Sequence, residues 1–129
     1  MDKLAALLYF VVGLVNLLPV SGVFSTGRLQ TLYGVSLADP SVVILLRHRA
    51  VLFGVIGAVL IAAAFHTPLR PLALAAGLVS MLSFVLVAYL VGEFNSELRR
   101  VVAVDLVASG LLVGAGLITL WSSSRRPAA

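Results

Sequence analysis

The residues best suited to chemistry are the triplet Arg47-His48-Arg49, which interrupts an otherwise apolar stretch running from Val42 to Phe65. If the triplet marked the start of a membrane-crossing helix, Val42–Leu46 would be left in water and the remaining span would measure only about 24 Å. The triplet is therefore expected one to two turns inside the helix. A charge at the bilayer centre costs about 2.5–3.5 kcal/mol, and less near the edge, so such residues turn inward and find partners. Asn16 near the end of the first apolar run, Glu93 at the end of the third and Asp105 near the start of the fourth are the polar candidates. Arg47 shares a helical face with Ala50 and Gly54, whereas His48 and Arg49 are rotated from it by about 100° and 200°. At most two of the three point into a bundle, and the expected arrangement pairs Arg47 with Asp105 while Arg49 reaches the headgroups. The predicted ligand-binding or buried polar cluster is Asn16, Arg47, His48, Arg49, Glu93 and Asp105.

Three chemistries are open to such a cluster. His48 with Asp105 or Glu93 would form an acid–base pair for a membrane enzyme. Asp105 alone could be the coupling carboxylate of a proton-driven transporter, although an ion pair to arginine would compete with proton exchange. A polar pocket for a ligand, or a fixed ion pair between helices, needs no reaction at all. Metal ligation is not expected, because one histidine flanked by two arginines offers a cation little. His66 follows His48 by 18 residues on the same predicted helix, about 27 Å away, so the two cannot share a haem. The absence of cysteine excludes thiolate catalysis and iron–sulfur ligation by this chain alone. No cofactor is expected.

These residues sit in four apolar runs, Leu4–Val20, Val42–Phe65, Leu72–Val91 and Val101–Trp121, each about long enough to cross ~30 Å of hydrocarbon. With 61% hydrophobic and 11% charged residues and a mean hydropathy of +1.15, the chain lacks the polar surface of a soluble domain. The expected fold is all-α, a single integral membrane domain built as an antiparallel bundle of four transmembrane helices. The first run is too long for a signal-peptide core and no small-x-small cleavage site follows it, so it is expected to be retained. The connection 23–39 is expected to lie at the interface as a short amphipathic helix, with Ser25 or Thr26 as cap, Leu29, Leu32 and Tyr33 at helical spacing, and Gly34 as terminator. Asp39-Pro40 reads as an N-cap and first-turn proline. Ala50, Gly54, Ala58 and Ala62 on the second run, and Gly110 with Gly114 on the fourth, offer smooth stripes for helix packing or for a homo-oligomer. Trp121 is an interface anchor, followed by a polar tail with Arg125 and Arg126.

The order of a short first helix, a long connection carrying Leu32-Tyr33-Gly34-Val35, arginine before Ala50-Val51-Leu52-Phe53-Gly54, and Asp105 early in the last helix resembles the DoxX-like group of small four-helix bacterial membrane proteins, in its uncharacterised branches. Some members are accessory subunits of quinone-linked or thiol-linked oxidoreductases, so the resemblance implies a helper role; the lack of cysteine speaks against the thiol version. The expectation is a non-catalytic ligand-binding or accessory subunit, with a transporter or a His48-based enzyme as alternatives. Expected partners are membrane lipids and a lipophilic small ligand or membrane protein. Nucleic acid is not expected despite a charge of +4, because the basic residues are scattered at helix ends. The expected location is the bacterial inner membrane, with both termini in the cytoplasm because Arg125 and Arg126 directly follow the last run.

Overall fold

The computed structural model describes residues 2–125, so Arg126 lies outside the described residues. Helix α1 covers Asp2–Leu17, α2 Thr26–Tyr33, α3 Pro40–Phe65, α4 Arg70–Val91 and α5 Ser96–Ser124, and no strand occurs among the described residues. Among the described residues, four helical segments, those built on α1, α3, α4 and α5, are long and apolar enough to cross a membrane. Pro19 cannot donate to a regular α-helical ladder, and the chain leaves α1 through a 3-10 segment, Leu18–Val23. Helix α2 is bounded as its sequence dictates: the Ser25 hydroxyl accepts from Arg28 N, and Gly34 closes the helix at φ 61°, a left-handed conformation that favours glycine. Asp39 caps α3 by accepting from Ser41 N at 2.8 Å. Asn95 caps α5 through Leu98 N, also at 2.8 Å.

The long helices form a ring in which α1 touches α3 and α5, and α4 touches α5 and α3. Tyr9, Val12, Leu60, Met81 and Leu112 fill its centre, with Ala63, Ala73, Ala108 and Ala115 letting the backbones approach. Large apolar residues also cover the outside, among them Ile44, Leu86, Leu90, Leu117 and Leu120. A protein in water would hide such side chains, so the outer surface carries the same message as the composition.

Packing uses only part of the predicted stripes: Ala50 is fully buried and Gly54 sits against Val20, but the other contacts fall on different small residues. On α3 the inward face is Ala50, Phe53, Gly57, Leu60 and Ala64, spaced alternately by three and four, while Ala58 is exposed and Gly54 half-buried. Helices α1 and α3 cross backbone to backbone at Gly13 and Gly57: a Cβ on Gly57 would lie 2.9 Å from the Gly13 carbonyl oxygen. Gly110 and Gly114 face open space, with nothing within 4 Å of a Cβ at either position, so they do not pack this bundle; Gly116 does so instead, against Leu74.

At the α1–α4 end, Arg70 opens α4 and turns inward. It is 3% exposed, donates from Nε to the Ala63 carbonyl at 3.3 Å, and pairs with the Asp2 carboxylate at 3.6 Å. Its guanidinium also lies 5.8 Å from the centre of the Tyr9 ring, whose hydroxyl donates to the Arg70 carbonyl. This fastener ties the start of α1 to the turn between α3 and α4.

Candidate functional site

The opposite end of the bundle, beneath α2, holds the charged core. Helix α3 is apolar all round, so its register is set by the helices it touches, and Ala50 and Phe53 face inward. Arg49 follows them in. Its guanidinium lies 4.0 Å from the centre of the Phe84 ring, 4.9 Å from Phe53 and 5.7 Å from Tyr33, so α2, α3 and α4 together enclose it in aromatic faces. Such faces carry negative quadrupole density, which attracts a cation without hydrogen bonds. Arg49 Nε and Nη2 are buried with no hydrogen-bond partner. Arg47 and His48 are exposed. The expected roles of the two arginines are therefore exchanged: Arg49 is the inward charge and Arg47 the outward one, because Arg49 lies one turn from Phe53 on the buried face.

Asp105 on α5 is 6% exposed, and its Oδ2 is buried without a partner. The expected Arg47–Asp105 ion pair is absent, and no direct ion pair links Asp105 to Arg49 either, although Arg49 is the charge that acts on it. Tyr33, at the C-terminal end of α2, feels both charges. Burial pushes its hydroxyl above the ordinary tyrosine range, partly opposed by Arg49, so it remains a protonated phenol at neutral pH. Asn16 on α1 is 3% exposed; its Nδ2 donates to the Val12 carbonyl at 2.9 Å, which fixes the amide orientation and leaves Oδ1 without a partner. The Ser109 hydroxyl, one turn beyond Asp105, is likewise buried and unpartnered.

Asn16, Tyr33 and Asp105 line one cavity of about 340 Å³ between α1, α2 and α5, walled otherwise by apolar residues such as Val15, Leu18, Leu32, Phe53 and Val104. Glu97 and Arg100 stand at its rim. Helix α2 is held over it by Asn95, whose amide donates to the carbonyls of Tyr33 at 2.8 Å and Gly34 at 3.1 Å. Beyond Val15 and Val104 the cavity adjoins an apolar groove between α1 and α5 that includes Val12, Val107 and Leu111.

The structure thus gathers Asn16, Arg49 and Asp105 from the predicted cluster and leaves Arg47, His48 and Glu93 on the outside. His48 and Glu93 are exposed while Asp105 is buried, and no ion pair joins His48 to either carboxylate. Tyr33, Phe84 and Ser109 carry no chemical signal in the sequence; Tyr33 enters there through its helical spacing and the Leu32-Tyr33-Gly34-Val35 motif. Buried polar atoms are ordinarily satisfied, and three unpartnered ones around a single cavity are unusual. Such a cavity can hold a small amphiphile by its polar head. Among the described residues no cluster of three metal-ligating side chains occurs. No family model matches the chain, and neither a curated protein nor a solved structure does so.

Proposed function

We propose that the chain is a multi-pass protein of the bacterial inner membrane, a DoxX-like antiparallel four-helix bundle that binds a lipophilic ligand beneath α2, either on its own account or as a subunit of a larger complex. The four long apolar helices and their apolar outer surface support insertion. Aromatic side chains suit both interfaces. Phe24, 86% exposed, and the edge-to-face pair Tyr89–Phe94 lie at the α2 end, and Trp121, stacked by Arg125 at 4.0 Å, lies at the other. Arg47 and His48 snorkel from the lipid-facing side of α3 toward headgroups. Arg125, directly after the last span, favours termini in the cytoplasm and α2 on the opposite face.

The observation that carries the ligand reading is that Asn16, Tyr33 and Asp105, three residues lining a mainly apolar cavity, each hold a buried polar atom without a partner. Desolvated polar groups without partners destabilise a protein by about 1–3 kcal/mol each, a cost offset when a ligand supplies the missing bonds. A volume near 340 Å³ lies at the small end of ligand pockets. Native mass spectrometry from mild detergent tests this. The wild type should retain one small amphiphile per chain, and Val104→Trp, which fills the cavity and leaves every polar group in place, should emerge empty. Identical lipid occupancy in both would refute the site.

A further inference from the structure

The charges and free atoms of the cavity restrict what its occupant's head can be. Asp105 and Arg49 carry opposite charges within the same core, and Glu97 and Arg100 repeat that balance at the rim. A cationic or anionic head would leave this end of the bundle with a net charge, because Asp105, Glu97, Arg49 and Arg100 together sum to zero, and a buried net charge carries a desolvation cost. The unpartnered atoms then fix the direction of the bonds. Asn16 Oδ1 and Asp105 Oδ2 are acceptors, and the Asn16 amide nitrogen already donates to the Val12 carbonyl and to Met81 Sδ. Tyr33 contributes a hydroxyl able to donate or accept. The missing partner is therefore a donor, and an uncharged one.

We propose that this cavity takes the neutral, hydroxyl-bearing head of a single-chain amphiphile, whose hydroxyls donate to Asn16 Oδ1 and Asp105 Oδ2. Its tail leaves past Val15 and Val104 into the apolar groove between α1 and α5, which opens laterally: Val104 is 47% and Val107 65% exposed on the outer surface. The inference rests on the ligand-binding reading above and adds the chemical class of the head.

Three probes that share one chain and differ in head charge separate the two claims: 1-monooleoylglycerol, oleylamine and oleate. Delipidated protein in a mild detergent is titrated with each, bound stoichiometry is read by native mass spectrometry, and folding is checked by circular dichroism. Monooleoylglycerol should bind one per chain at least about tenfold tighter than either charged probe. Asn16→Leu and Asp105→Leu should each weaken it, while Val104→Trp abolishes binding of all three and retains both acceptors. Should either polar variant misfold, the ratio between probes on the wild type and the Val104→Trp result still decide the matter. Preference for oleylamine or oleate, still blocked by Val104→Trp, would overturn the neutral head and keep the cavity. Equal binding of all three probes, indifferent to Val104→Trp, would overturn both.

Discussion

Replacing Gly57 by alanine adds one methyl group where the backbones of α1 and α3 meet. Its Cβ would lie 2.9 Å from the Gly13 carbonyl oxygen and 2.9 Å from Leu17 Cδ2, inside ordinary van der Waals contact by roughly half an ångström. Leu17 can rotate away, but the Gly13 carbonyl belongs to the α1 backbone, so α1 and α3 must separate along their whole crossing. Overpacking of this kind costs about 1–3 kcal/mol. The same substitution at Gly110 meets nothing within 4 Å. Both sites gain the same helix propensity, up to about 1 kcal/mol for alanine over glycine, so that contribution cancels between them. Gly57→Ala should therefore unfold at lower denaturant than Gly110→Ala by an amount worth about 1–3 kcal/mol, with Gly110→Ala at or above wild type. Reversible unfolding in mixed micelles, followed by circular dichroism, measures both. Equal midpoints, or Gly110→Ala as the more damaging change, would refute the helix register described here.

Asp105→Asn should leave the empty bundle as stable as wild type or more so, because it removes a buried charge that lacks a direct partner; a loss of about 3–5 kcal/mol would instead reveal an ion pair with Arg49. Asn95→Ala removes both the α5 cap and the two bonds to the end of α2, and should cost about 1–3 kcal/mol while making the segment around α2 the first to be cut in limited proteolysis. Arg70→Met keeps the length of the side chain but loses the bonds to Ala63 and Asp2; about 1–3 kcal/mol should go in the same unfolding assay, with lipid retention unchanged because Arg70 lies at the end away from the cavity.

The helices themselves were legible because their signals are local. Ser25, Gly34 and Asp39 stand where a short polar side chain or a glycine is needed, and hydrophobic length alone separates the long helices. Which way each helix faces was not. Helix α3 is apolar on every side, so periodicity could not choose between Arg47 and Arg49, and four-residue spacing picked Ala58, which is exposed, over Gly57, which is buried. The one usable hint was Phe53, four residues after Arg49 and thus on its face. The remaining ring partners, Tyr33 and Phe84, lie on other helices, and their convergence is a tertiary fact. Arg70 is hidden for a different reason: it stands between Pro68 and Pro71, a setting typical of an exposed turn, and only packing shows it buried. Gly110 and Gly114 match a packing motif whose pattern says nothing about which partner, if any, receives it.

Photolabelling tests the central claim most directly. A monoacylglycerol carrying a diazirine midway along its chain is added to the protein in lipid nanodiscs, illuminated, and the adducts are mapped by peptide mass spectrometry. Adducts should concentrate on the cavity and groove residues Val15, Leu32, Val104 and Val107 and disappear under excess 1-monooleoylglycerol. Labelling spread evenly over the outer residues Leu86, Leu90 and Leu117, and unaffected by the competitor, would mean that the probe had met only the surrounding lipid face and that the cavity beneath α2 holds no ligand.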